Sequence, residues 1–272
     1  MAEQSRPFRK DDEMFSYGRR PQPFIWGHRG VPSEAVENTV ASFARARAYA
    51  LDGVEFDVQF SRDGVPFVFH DDLLTRLAGI EKAAIDLSWS ELAQLVLRDP
   101  DRPHLPAAHL STLEEVLQTM PADLMMNLEL KANPGMTQVQ LELVWELLQG
   151  YQLTRRTVVS SFYHEFLVKM ARIGEAANLA ALWVQVPSES ALREIMPITP
   201  IMHIPWQVSR ADTVPYLHGL GCEVGVWGIT SVEDLQQCYA QAVDAIFIDD
   251  PTWLHALPRG SRQYQSRNEG QS

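Results

Sequence analysis

The sequence predicts an α/β protein whose strands run parallel and close into a barrel. Three observations carry that expectation. The chain has 272 residues, near the usual length of a single (β/α)8 unit. Short apolar runs alternate with segments of helical periodicity from about residue 24 to residue 249. Charged and polar side chains gather at the ends of those runs, where α/β proteins display their chemistry.

The elements follow in order. Residues 1–22 carry Arg6, Pro7, Arg9, Lys10, Asp11, Asp12, Arg19, Arg20 and Pro21 with little periodicity, and read as an N-terminal extension, either wrapped on the outside of the domain or partly disordered. The barrel domain is expected over 23–257. Its strands are expected at 24–28, 53–60, 124–130, 156–160, 180–186, 200–204, 222–227 and 245–249. Its helices are expected at 39–50, 88–97, 111–119, 137–150, 163–173, 188–195, 210–220 and 231–242. Residues 65–69 read as a further short strand that turns back before His70. The stretch 73–109 is too long for a simple connection and holds one helix and a proline-rich piece (Pro100, Pro103, Pro106), so it forms a small insertion after the second strand region, covering one side of the site. In 137–150 the stripe Val139, Leu143, Leu147, with Val144 and Leu148 beside it, is the face expected to cover the sheet. Residues 258–272 form a polar tail. The whole reads as an α/β (β/α)8 TIM barrel.

Composition narrows the function. Hydrophobic residues make up 46% and charged residues 21%, a globular balance. A formal net charge of −12 argues against nucleic acid or an anionic membrane surface as partner. An acidic protein that handles an anionic phosphate must build a local positive site from a metal, Arg or Lys. Cys222 and Cys238 make no disulfide framework and read as reduced thiols. The first residues lack the apolar core of a secretory signal, and no apolar run is long enough to span a bilayer. The expectation is a cytoplasmic protein with no stable membrane insertion.

Strand periodicity selects the chemistry. Along 54–60, Val54, Phe56, Val58 and Phe60 face one way and Glu55, Asp57 and Gln59 the other. Residues 124–131 repeat the arrangement, with Asn127, Glu129 and Lys131 opposite Leu124, Met126, Leu128 and Leu130. In a parallel barrel the apolar set packs on helices and the polar set faces the axis, so three carboxylates converge at the mouth. Such carboxylates repel one another unless a cation lies between them. Oxygen donors favour Mg2+ or Ca2+ over zinc, and Glu55, Asp57 and Glu129 are the expected ligands. An E-x-D pair alone would more often be a solvated face.

His28 closes the first strand and His70 follows the 65–69 strand, so both are placed to reach the same mouth. Cleavage of a phosphate diester needs a base for the attacking oxygen and an acid for the leaving oxygen, each worth roughly 10²–10⁴-fold. Arg29 offers a bidentate grip on a phosphate oxygen and Lys131 a point charge. Gly27 and Gly30 let the backbone turn closely there. Glu37-Asn38-Thr39 reads as a helix N-cap, with Glu37 a further candidate for site contact. Phe162, Trp206 and Trp227 stand at strand ends and are candidates either for an apolar wall or for barrel packing. His203 reads as the polar end of the sixth strand, and His104, His109, His164, His218 and His255 fall on surfaces or helices.

Taken together, His28-Arg29-Gly30, Glu37-Asn38-Thr39, Glu55-x-Asp57, Asp63-Gly64, His70-Asp71, Leu113-Glu114-Glu115-Val116-Leu117 and Asn127-x-Glu129-x-Lys131 resemble the glycerophosphodiester phosphodiesterase (GDPD) family of (β/α)8 barrels, from Ile25 to about Pro251. Later echoes are Ser160-Ser161-Phe162, Val226-Trp227 and Ala245 to Pro251. The chain departs from the family pattern at Val36, at Gly228-Ile229-Thr230 and at Ile248, outside the catalytic core. The resemblance implies His28 and His70 as general acid and base, Glu55, Asp57 and Glu129 as metal ligands, and Arg29 and Lys131 on phosphate. It implies a small-molecule glycerophosphodiester substrate and attack by a neighbouring hydroxyl through a cyclic phosphate, giving an alcohol and sn-glycerol 3-phosphate. Phe162 and Trp227 would then line the substrate pocket. Two alternatives stay open: a lysophospholipase D-like activity on a substrate that keeps one acyl chain, and a non-catalytic phosphoester-binding barrel.

Overall fold

A computed structural model describes residues 15–18, 20–131, 136–174 and 177–257; residues 1–14 and 19 of the extension and the tail 258–272 lie outside them. The described strands are β1 (Phe24–Gly27), β2 (Gly53–Phe60), β3 (Pro66–Val68), β4 (Ser111–Thr112), β5 (Met125–Leu130), β6 (Thr157–Ser161), β7 (Asn178–Leu182), β8 (Ile201–Pro205), β9 (Glu223–Trp227) and β10 (Ala245–Ile248). Eight of them pair in parallel as β1-β2-β5-β6-β7-β8-β9-β10, and β10 returns to β1 with Phe24 opposite Ala245. The result is a closed (β/α)8 barrel. β3 and β4 leave the far end of β2 as an antiparallel excursion, with Gln59 opposite Phe67 and Val68 opposite Ser111.

Both faces of the staves are buried, as a parallel sheet wrapped in helices requires. Outward-facing Val54, Phe56, Val58, Met126, Leu128, Val159, Met202, Val224 and Ile246 meet the helices in one continuous core. Helix Gln138–Gly150 covers this core through Leu141, Val144, Trp145 and Leu148. The expected stripe through Val139 is therefore displaced: Val139 is 71% exposed, and Leu143 and Leu147 pack only at the edge. Apolar residues spread over a wide arc of this helix, and the face carrying the bulky Trp145 is the one turned inward.

Inward-facing Phe24, Trp26, Met125, Val158, Ala180, Ile201, Ala245 and Phe247 fill the lower barrel. The described part of the N-terminal extension belongs to this filling. Tyr17 is fully buried, accepts a hydrogen bond from Trp26 Nε1 at 3.0 Å and meets His203 Nε2 at 2.8 Å. His203 thus sits inside the barrel base, and burial pulls its pKa down to about 3, keeping it neutral. Replacing Tyr17 by Phe leaves the buried Trp26 N–H and His203 Nε2 unpartnered. Stability should fall by roughly 1–3 kcal/mol, read as a lower urea midpoint, with turnover intact; an unchanged midpoint would refute the plug.

The stretch after His70 has its own small core of Phe67, Phe69, Leu74, Leu77, Ala84, Leu87, Leu92, Leu97 and Leu110. The helix expected over 88–97 shrinks to one turn, Trp89–Leu92. Leu97 instead exchanges backbone hydrogen bonds with Ala108 at 2.8 and 3.0 Å, which draws the chain into an extended form. Thr112 opens helix Leu113–Thr119 through a capping box with Glu115, so the start expected at 111 moves by two residues. Among the described residues, no helix is long and apolar enough to cross a membrane.

Candidate active site

The polar positions gather at the C-terminal ends of the barrel strands, the face where (β/α)8 enzymes place their chemistry. Register brings the acids together: Glu55 lies opposite Asn127 and Asp57 opposite Glu129 on the adjacent strand β5. Glu55, Asp57 and Glu129 are all buried, and one oxygen from each lies within 4.8 Å of the others. Burial and the charges of Asp57 and Glu129 push the Glu55 carboxyl up to about 8. Burial and Asp57 also raise Glu129, whereas Asp57 is held low because Lys131, His70, Arg29 and an Asn38 hydrogen bond outweigh its burial.

Lys131 Nζ stands 3.1 Å from Glu129 Oε1 and 3.4 Å from Asp57 Oδ1. Both of these oxygens are buried and lack a hydrogen-bond partner of good geometry. Around the mouth, among the described residues, the six carboxylates Glu37, Glu55, Asp57, Asp71, Glu129 and Asp249 outnumber the fixed cations acting on them, Arg29, Arg76, Lys131 and, at Asp249, Arg102. A divalent cation would correct that imbalance, and an all-oxygen, carboxylate-rich donor set fits a hard ion.

Each histidine is held from behind. His28 Nδ1 is 2.7 Å from Asp249 Oδ1, just past β10, and His70 Nδ1 is 2.8 Å from Asp71 Oδ1. A carboxylate on Nδ1 favours the Nδ1–H tautomer and leaves Nε2 for chemistry. Burial and Arg29 lower the His28 pKa, but the hydrogen bond and charge of Asp249, with Glu55 behind, outweigh them and raise it. Electrostatically, His28 favours the charged form of Glu55, and His70 that of Asp57 and Glu129.

The loop after β1 is built to present Arg29. A side chain at Gly27 would collide with Gly30 O, and Gly30 itself has φ +88° with Ser42 packed against it. Arg29 adopts a left-handed φ of 57°, its N–H donates to Glu55 Oε2 at 2.9 Å, and its guanidinium binds Glu37 at 2.8 Å. Strain of this kind gathers at functional sites. In the Glu37-Asn38-Thr39 element, Thr39 is the N-cap of helix Val40–Arg45. Asn38 serves the site instead: Nδ2 donates to Asp57 Oδ2 at 2.7 Å, and Oδ1 accepts from Asp57 N at 3.2 Å. Glu37 grips both Arg29 and Arg76.

Phe162 and Trp227 pack edge to face with centroids 5.9 Å apart, and Trp227 Nε1 is buried without a partner. Trp206 takes no part in this pair. Its Nε1 donates to Asp234 at 2.7 Å, and it lines a separate groove of about 560 Å3 with Gln207, Arg210 and Gln237. Sequence reasoning placed Asn38 only in a helix cap and a family motif and Asp249 only in the late echo from Ala245 to Pro251, and it did not name Arg76. Each stood beside a visible signal, Asn38 in the Glu-Asn-Thr element, Asp249 in the late echo and Arg76 six residues after His70, but only the fold reveals their partners.

The comparisons agree with this geometry. Residues 28–252 match the model of the glycerophosphoryl diester phosphodiesterase family. A glycerophosphodiester phosphodiesterase of Caldanaerobacter subterraneus subsp. tengcongensis is 28% identical over 246 residues, covering 86% of this chain and 97% of the relative. One from Bacillus altitudinis is 28% identical, covering 84% and 94%. Among solved structures, an Oleispira antarctica phosphodiesterase in complex with the product sn-glycerol-3-phosphate superposes with a TM-score of 0.77 at 25% identity, over 86% of this chain and 96% of that one. The mouth of buried acids, the paired histidines and these matches have one reading: the chain belongs to the glycerophosphoryl diester phosphodiesterase family.

Proposed function

We propose that the protein is a metal-dependent glycerophosphodiester phosphodiesterase that releases sn-glycerol 3-phosphate and an alcohol. Family membership makes it a phosphoric diester hydrolase. The observation that carries the finer reading is the buried Glu55–Asp57–Glu129 cluster flanked by two histidines, each backed by a carboxylate. Those three acids would hold Mg2+ or Ca2+, which when bound supplies positive charge to a phosphate oxygen and lowers the barrier to attack.

The chain's own residues divide the remaining work. Arg29 and Lys131 attract and orient the phosphate. His70, with Nδ1 engaged by Asp71, takes the proton from the attacking hydroxyl at Nε2. His28, whose raised pKa keeps it protonated further up the pH scale, gives a proton to the leaving alkoxide. The roles then exchange as water opens the cyclic phosphate. Phe162 and Trp227 form an apolar wall for part of the substrate.

A release assay for glycerol 3-phosphate over a panel of headgroup diesters tests this reading. EDTA should abolish turnover and Mg2+ or Ca2+ should restore it. A lyso-phospholipid in the same panel tests the second reading, which the apolar Phe162–Trp227 pair favours. No product from any diester in the presence of metal would sink the proposal, as would full activity in exhaustively chelated protein.

A further inference from the structure

Arg76 lies outside every motif read as catalytic, yet it makes the densest set of ionic contacts at the mouth. It sits on a one-turn helix, Thr75–Ala78, inside the excursion. Leu74 and Leu77 on either side are buried in the excursion's small core, and Leu74 N is tied to Lys82 O at 2.9 Å. That anchoring turns the intervening guanidinium towards the barrel. Its Nη1 and Nη2 grip the two oxygens of Glu37 at 2.8 and 2.6 Å. Its Nε and Nη2 grip the two oxygens of Asp71 at 2.7 and 3.1 Å. Glu37 Oε1 accepts in turn from Arg29 at 2.8 Å, and Asp71 Oδ1 meets His70 Nδ1 at 2.8 Å.

From this geometry we infer that Arg76 is a positioning residue that sets His70 and Arg29 as one unit. The planar fork fixes two carboxylates at once, and each carboxylate fixes one side chain that faces the substrate. Without the fork, Asp71 is free to rotate away from His70 Nδ1, and Glu37 keeps Arg29 as its one cationic partner among the described residues. Neither consequence removes a carboxylate of the acidic cluster: the Arg29 backbone N–H stays on Glu55, and the nearest link is Arg29 Nε at 3.6 Å from Asp57 Oδ2, so metal affinity should change far less than turnover. The excursion is thereby wired into the chemistry instead of merely shielding it. The inference rests on the proposed phosphodiesterase reading for the roles of His70 and Arg29.

The test compares Arg76→Gln, Arg76→Lys, Asp71→Asn and Glu37→Gln. Arg76→Gln should lower kcat and raise KM, each by roughly tenfold to a hundredfold, as misplacement of reacting groups does. Calcium or magnesium binding, followed by calorimetry, should stay within about twofold of the parent. Asp71→Asn should reproduce the loss in kcat and Glu37→Gln the rise in KM. The double variant Arg76→Gln/Asp71→Asn should lose little more kcat than Asp71→Asn alone, since both act through His70. Arg76→Lys keeps the charge but not the fork, so it should restore the melting temperature and leave kcat low. In metal-free protein, 15N NMR should find the Nδ1–H tautomer of His70 in the parent and a mixture in Arg76→Gln. Unchanged kcat and KM per folded molecule, full rescue by lysine, or additive losses in the double variant would each overturn the inference. Should the parent hydrolyse no diester, the proposed function falls, and the tautomer measurement still decides the role of Arg76.

Discussion

Replacing His28 by alanine should lower kcat by roughly 10²–10⁴-fold, the range expected when a proton-transfer group is removed. The fold should survive, because His28 lies beyond the end of β1 and is partly exposed at the mouth, above the layer of Trp26 and Phe247. Metal affinity should change far less than turnover, since the hydrogen bond of His28 is to Asp249 and its effect on the acidic cluster is only the charge it presents to Glu55. Asp249→Asn is the finer probe. It removes the charge that outweighs burial and Arg29 at His28, so the His28 pKa should drop. The alkaline limb of the kcat profile, which reports loss of the acid's proton, should then move to lower pH. Circular dichroism with single-turnover kinetics checks the first variant, and a pH–rate profile the second. Parent-like turnover in His28→Ala would remove that ring from the mechanism.

The second large effect expected of the proposed metal site is a proton released on binding. Glu55 is raised from 4.5 to about 8 by burial and by the acids beside it. At pH 7 the metal-free protein therefore holds a proton there that a cation must displace. Affinity for Mg2+ or Ca2+ should rise by about ninefold from pH 6 to 7 and about fivefold from pH 7 to 8, and about one proton should be released per ion at pH 7. The effect on folding has the opposite sign in the metal-free state. A carboxyl whose pKa rises on folding stabilises the fold fully below its unfolded value, and that contribution is lost as pH climbs towards 8. Stabilisation by added metal should consequently be greater at pH 8 than at pH 6. Calorimetry in two buffers of different ionisation enthalpy measures the proton, and thermal melts with and without metal measure the rest. An affinity independent of pH, with no proton released, would place the ion elsewhere.

Much of this was legible along the chain because burial on two faces leaves a strong local mark. The strands stand out as short apolar runs, and the alternation in β2 and β5 identifies which carboxylates face the axis before any partner is known. What stayed hidden depends on contacts across the fold. Nothing local reveals that Asp249 backs His28 across 221 residues. Tyr17 lies in a segment without periodicity, and its burial follows from the shape of the barrel base. The helix at 137–150 was visible but its face was not, since several stripes were apolar and Trp145 decided between them. Residues 88–97 had helical spacing, yet pairing of Leu97 with Ala108 overrode it.

The excursion begins and ends side by side, because Val68 and Ser111 are paired neighbours in adjoining strands. With His70 and Asp71 kept in place, the stretch from Asp72 to Leu110 can therefore be exchanged as a cassette without opening a stave of the barrel. A graft from a relative need preserve only the guanidinium of Arg76 and the two leucines that aim it. Diversification of this enzyme towards new leaving groups has its natural entry point there.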